Sequence, residues 1–235
     1  MTTTYRIEVA IFAIALALFG LVVLALVWSG DWAYAFLANI NGVKQVTFSF
    51  PPRALGPGPT DSPVDLATVI SAWHHPWAAY VTGVSSEPAL VTQGVFTADE
   101  YAHMADVRAV FRGAEYVAAL ALFVMIFRVQ RARRRGDAVR LVRAGALTAA
   151  GIAVVIAIAA VVAFDPLFLL FHQVFFPQGN FLFSPDSNLI RLYPEWYWQG
   201  ITAGVGSSFI AVSLLVAGAA HTALRRRSNT YTRAA

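Results

Sequence analysis

The chain has 235 residues, 58% of them hydrophobic and only 13% charged, with a formal net charge of +4 and no Cys. Soluble domains carry about 25% charged residues, so this composition and a mean hydropathy of +0.61 exclude a soluble enzyme, a disordered chain and a disulfide-stapled domain. The absence of Cys also excludes thiol catalysis, Fe–S clusters, Cys-ligated zinc and lipidation of a cysteine on this chain.

Three runs carry no charge: Val9–Val27 (19 residues), Ala144–Phe164 (21) and Gly200–Ala220 (21). Each is long enough to cross a hydrocarbon layer of roughly 30 Å as a helix rising about 1.5 Å per residue. Tyr116–Phe127 is also uncharged but covers only 12 residues. Extending it upstream completes a fourth span and takes in Arg112 and Glu115, which share a helix face and either snorkel or line a polar cavity in the outer half of the bundle. The expectation is a single all-α membrane domain over 1–235, with spans at about 7–28, 107–128, 143–164 and 198–221.

Charge orients the spans. Arg128–Arg143 carries seven Arg and one Asp, and Arg225, Arg226, Arg227 and Arg233 follow the last span. Ser29–Val107 has two basic against seven acidic residues, and Asp165–Gln199 one against three. The positive-inside rule then places both termini and the loop at 129–142 in the cytoplasm, with the loops at 29–106 and 165–197 facing outward. The basic excess describes a rim against anionic lipid and does not point to nucleic acid. Ala33-Tyr34-Ala35 looks like a signal-peptidase site, but the preceding 19-residue run exceeds the usual 7–15 of a signal peptide and favours a retained anchor.

The first outer loop is too long for a simple connection and is expected to carry function. Val46–Phe50 alternates like a short strand. Pro51-Pro52 and Gly56-Pro57-Gly58-Pro59 break regular structure, and Gly56–Ser62 reads as exposed coil. Leu66–Trp77 reads as a short amphipathic helix ending at His74-His75-Pro76. Adjacent side chains on a helix diverge by about 100°, and no third ligand sits at suitable spacing. His74 and His75 are therefore expected at a surface or interface, each near neutral on substitution. Thr97 with Glu100 forms a capping box that opens a helix running into the second span. Glu100, His103 and Asp106 fall on one stripe, so the two carboxylates would favour the charged form of His103 and orient its ring.

In the second outer loop, Leu167–Phe176 lies between Pro166 and Pro177. This is too short to span and is expected to lie in the interface as a short helix whose polar members are His172 and Gln173. Pro185-Asp186 marks a turn, Pro194 opens the last span, and Trp196, Tyr197 and Trp198 are expected as an aromatic belt.

Three segments, Glu100–Arg108, Phe171–Phe176 and Phe183–Glu195, together with the four-span layout, resemble the bacterial integral membrane family that includes the lipoprotein intramolecular transacylase. The resemblance implies a cell-membrane enzyme that moves an acyl chain within a diacylglyceryl lipoprotein, from the glyceryl ester to the N-terminal cysteine amine. It implies no cofactor and no metal, with membrane lipids and the lipoprotein as partners and the site on the extracytoplasmic side. The family's two functional histidines fall on His103 and His172. Glu100 or Asp106 would orient His103, and Arg108, His172 or backbone N–H groups would serve an oxyanion. Phe171, Phe175, Phe176, Arg191 and Tyr193 are candidates for holding substrate. Two alternatives stay open: a metallohydrolase built on His103, His172, Asp106 and Asp165, and a non-catalytic bundle that binds lipid or a partner.

Overall fold

The computed structural model describes residues 3–50, 60–88 and 94–233. The stretch Pro51–Pro59, read as broken structure, lies outside the described residues. Four helices are long and apolar enough to cross a membrane: α1 (Thr3–Trp28), α5 (Ala98–Arg134), α6 (Ala138–Val162) and α9 (Glu195–Arg233). Four is the number of spans expected from the sequence. At most 22% of the apolar window of each is buried within the protein, as expected where lipid is the solvent for the remaining side chains. The helices between them are α2 (Asp31–Ile40), α3 (Leu66–Val69), α4 (His75–Val81), α7 (Phe164–Phe175) and α8 (Asn188–Leu192). One two-stranded sheet pairs β1 (Gln45–Phe50) with β2 (Thr60–Asp65).

The described chain forms two compact units. The span unit comprises residues 1–25, 115–162 and 203–235. Its helices meet through small residues. A side chain at Gly145 would collide with the ring of Phe12, and one at Gly20 with Phe209, so glycine lets an aromatic ring replace backbone separation. Glu8, which opens the first apolar run, is 7% exposed and accepts a bidentate pair from Arg135 at 2.9 and 2.6 Å. Arg135 is placed by the α5–α6 turn. There Gly136 (φ +77°) donates to the Arg133 carbonyl at 3.0 Å and Asp137 to the Ala132 carbonyl at 2.9 Å, the glycine-terminated closure of a helix.

The loop unit comprises residues 26–114 and 163–202, and its core is aromatic. Tyr34, Phe48 and Trp77 are fully buried, with Trp73 against Phe48 at 4.3 Å. Ala33 and Tyr34 of the signal-peptidase look-alike thus lie in the packed face of α2. β1 is where the alternation placed it. β2 corrects the expectation of coil for Thr60–Ser62, because its TDSPVD sequence has low strand propensity and places Pro63 opposite Thr47. An edge strand tolerates a proline that cannot donate to the ladder. A lone hairpin is marginal in water, and this one is tied down from outside. Buried Asn188 accepts from the Ser49 N–H at 2.9 Å and donates to the carbonyls of Ser49 (2.9 Å) and Val95 (2.6 Å).

The amphipathic helix expected over Leu66–Trp77 instead runs on to Val81. It widens by one residue at Ile70–His74, just before Pro76, which has no N–H to continue the ladder. The expected capping box is present, with the Thr97 N–H on Glu100 at 2.6 Å and the Glu100 N–H on Thr97 Oγ1 at 3.2 Å. Tyr197 departs from the aromatic belt, since it is 5% exposed and packs on Tyr34 at 5.4 Å.

Candidate active site

Two histidines 69 positions apart in the chain face each other. His103, in the second turn of α5, and His172, near the end of α7, have ring centroids 6.4 Å apart and planes inclined by only 19°. Both lie outside the uncharged runs of the spans. Aromatic rings enclose them: Phe176 is 4.8 Å and Phe183 5.5 Å from His103, and Phe168 is 4.2 Å and Phe181 5.2 Å from His172. The cap at Thr97–Glu100 sets where α5 begins and so where His103 points. The i, i+4 relation between Phe168 and His172 does the same on α7.

Burial is the largest influence on both rings. It pushes His103 down to about 4, with the neighbouring His172 adding to the effect and Asp106 and Asn180 opposing it. Burial also lowers His172, against the support of the Phe168 carbonyl. Both imidazoles are therefore neutral at pH 7: Asp106 favours the charged form of His103, as expected, but burial outweighs it. The His172 tautomer follows from its partner. Nδ1 lies 2.8 Å from the Phe168 carbonyl oxygen, which only accepts, so Nδ1 carries the proton and Nε2 the free lone pair.

The supporting residues sort differently from the sequence reading. Glu100 is 1% exposed and does not address His103. Beyond the cap, its carboxylate accepts from Ser187 Oγ at 2.5 Å and the Leu189 N–H at 2.9 Å, which anchors the start of α5 to α8. Asp106 accepts from Gln178 Nε2 at 2.8 Å and Asn180 Nδ2 at 2.5 Å, two side chains that no local pattern singles out. The guanidinium of Arg108 donates to the carbonyls of Tyr80 (2.8 Å) and Ser85 (2.6 Å) and lies 4.5 Å above the Tyr80 ring, so it holds a turn. Arg191 is tied to Asp61 (3.2 Å), Asp186 (3.3 Å) and Ser49 Oγ (3.0 Å), which fastens α8 to the hairpin. Tyr193 is buried against His74. Of the phenylalanines, Phe176 is 2% exposed beside His103, whereas Phe171 and Phe175 are 47% and 48% exposed. Among the described residues no three His, Asp or Glu side chains converge as metal ligands, and Asp165 is exposed.

His74 and His75 diverge as expected, but only His75 is at the surface. His74 is 1% exposed, stacks on Tyr34 at 4.6 Å and has Nδ1 3.2 Å from the Tyr193 hydroxyl. Burial pushes it down to about 4, opposed mainly by Asp31. That carboxylate comes from α2, which local spacing could not reveal, and sits 2.8 Å from His75. The expectation of two silent positions is therefore corrected. His74→Gln should destabilise the loop unit by about 1–3 kcal/mol, while His75→Gln should be near neutral. His74 and His103 both titrate near 4 in the folded chain, below the ordinary 6.5. Between those values the unfolded chain takes up protons that the folded chain does not. Stability is then full above about 6.5 and lost as the pH falls towards and through 4. Thermal melts in detergent across pH 4–8 check both points. An equal Tm for the two variants, or a flat Tm over that range, would contradict them.

The fold and site define a class: a polytopic helical membrane protein that presents two neutral, facing imidazoles in an aromatic enclosure. Residues 8–198 match the family described as lipoprotein intramolecular transacylase Lit, and the chain belongs to that family. It is an enzyme of the transacylase kind, a membrane transacylase of lipoproteins. Among solved structures it is similar to the membrane integral lipoprotein intramolecular transacylase Lit from Bacillus cereus, at 15% identity over 100% of both chains with a TM-score of 0.73. Two variants of that protein with one histidine replaced are also similar. The alanine variant matches at 12% identity over 96% of each chain (TM-score 0.73), and the arginine variant at 13% over 97% and 95% (TM-score 0.68). No curated protein sequence matches the chain.

Proposed function

We propose that this enzyme moves an acyl chain within a diacylglyceryl lipoprotein, from the glyceryl ester to the α-amino group of the N-terminal cysteine. The observation that carries this reading is the neutral His103–His172 pair, with the Nε2 lone pair of His172 free, in an enclosure of phenylalanines. Aminolysis of an ester needs a base for the ammonium proton and an acid for the departing alkoxide. The amine nitrogen attacks the ester carbonyl, a C–N bond forms and the glyceryl C–O bond breaks. The proton taken by one imidazole is returned to the glyceryl oxygen. Nucleophile and ester belong to one molecule, so no acyl-enzyme is required, and the site gains chiefly by holding the two together. Phe171 and Phe175 offer apolar surface to the acyl chains. The proposed location is the bacterial plasma membrane, with the histidines facing the extracytoplasmic side.

Mass spectrometry of lipoprotein N-termini from cells with and without the enzyme tests the reaction. The expected product carries one acyl chain on the cysteine nitrogen and a monoacyl glyceryl group. An unchanged diacylglyceryl N-terminus with a free amine would refute it. Orientation is tested in the same cells. With a single cysteine at Val84, which is 84% exposed, or at Arg133, an impermeant thiol reagent should label position 84 only. Labelling of 133 alone would invert the topology.

A further inference from the structure

His103 and Asn180 each hold a buried polar atom with no hydrogen-bond partner among the described residues: Nδ1 of the imidazole and Oδ1 of the carboxamide. The direction of the carboxamide is not arbitrary. Asp106 Oδ2 lies 2.5 Å from one end, and a carboxylate only accepts, so the NH₂ must face Asp106 and the oxygen must point away from it. Gln178 donates to the same Asp106 oxygen at 2.8 Å, so the hydrogen bonds this oxygen accepts come from the loop, and Asp106 reaches the imidazole through its charge. The turn that presents Asn180 is set by Gly179, whose φ of +80° suits a residue without Cβ. An acceptor left unpaired in a buried site costs free energy, and a neutral imidazole supplies a donor at Nδ1 in one of its two tautomers.

We propose that Asn180 is a positioning residue for His103: held by Asp106, its carboxamide oxygen accepts the Nδ1–H of His103 and fixes the tautomer in which Nε2 carries the lone pair. Asp106 then acts on His103 through the amide as well as through its charge. With His172 already fixed by the Phe168 carbonyl, both rings present a bare Nε2. The titratable groups facing His103 are His172 and Asp106, and the Asn180 carboxamide favours the imidazolium. The importance of this arrangement for turnover rests on the acyl-transfer reading, but the arrangement can be read without turnover.

Long-range 1H–15N spectra of the full chain in detergent, labelled at histidine, report each ring's tautomer and titration, and His103→Gln assigns the His103 signals. In the unmodified protein His103 should be the Nδ1–H tautomer, and finding Nε2–H overturns the proposal whatever the variants do. Asn180→Ala should mix the tautomers and move the His103 midpoint below its value near 4, because an acceptor that supports the imidazolium is gone. A merely structural loss that lets water in would move it the other way, towards 6.5, and would overturn the proposal. Gln178→Ala removes a bond to the same oxygen and should leave both readings unchanged; an effect equal to that of Asn180→Ala would also overturn it. Transfer by Asn180→Ala should be slower by about 10–100-fold in kcat with KM unchanged. A tautomer change with transfer intact would leave Asn180 coupled to His103 and count against the acyl-transfer reading instead.

Discussion

His172→Gln should slow acyl transfer by about 10²–10⁴-fold with little change in melting temperature, and His103→Gln should do the same. The two rings act on one proton inventory, so the double variant should be no worse than about the poorer single variant, as expected for groups that work as a unit. Folding should survive. α7 contributes no buried residue, and His103 is replaced by a side chain of similar length that retains a polar end. The measurement is single-turnover transfer on a purified diacylglyceryl lipopeptide, with thermal melts run in parallel. Two singly inactive variants whose losses multiply in the double would indicate independent roles, and active single variants would remove the histidines from the chemistry.

Glu100→Ala should give the largest loss of stability in the loop unit, about 2–4 kcal/mol, without direct loss of a reacting group. The carboxylate satisfies three donors: the Thr97 N–H, Ser187 Oγ and the Leu189 N–H. Leaving buried donors unpaired costs about 1–3 kcal/mol each, partly recovered by relaxation and water. Two consequences follow along the chain. The first turn of α5 frays and moves His103, and α8 loses its hold, which also loosens the hairpin that Arg191 and Asn188 fasten. Glu100→Gln keeps one acceptor oxygen and should lose less. Melting temperature and protease sensitivity of the loop at 181–187 report the effect, and a melting temperature equal to that of the unmodified protein would show that the α5–α8 anchor is dispensable.

Much of this protein is legible in its sequence because the membrane makes local composition decisive. In hydrocarbon every backbone group must be satisfied within its own segment, so an uncharged run of 19–21 residues has one stable state. Three spans follow from that alone, and the fourth once Tyr116–Phe127 is extended upstream over Arg112 and Glu115. The capping box at Thr97 and Glu100 is legible for a related reason, since both partners lie three residues apart on one turn. His103 and His172 are legible through the resemblance of the segments around them to a known family, and not through any local pattern.

What the sequence could not decide is how distant polar side chains pair, because that depends on which segments the fold brings together. Glu100 looks like a partner for His103 on a helical stripe but finds Leu189, 89 residues on. The sequence does not show that Arg108 is held by the carbonyls of the 80–85 turn, or Arg191 by Asp61 of β2. His74 reads as a surface residue until the widened helix before Pro76 turns it towards Tyr34 and Tyr193. Asn180 and Gln178 carry no sequence signal, because nothing near them in the chain needs them and only the closure of the second loop over α5 gives Asp106 its donors. Local solvent and hydrogen-bond demands determine the helices, whereas long-range closure determines which buried donors meet which acceptors, and the chemistry of the histidine pair depends on the latter.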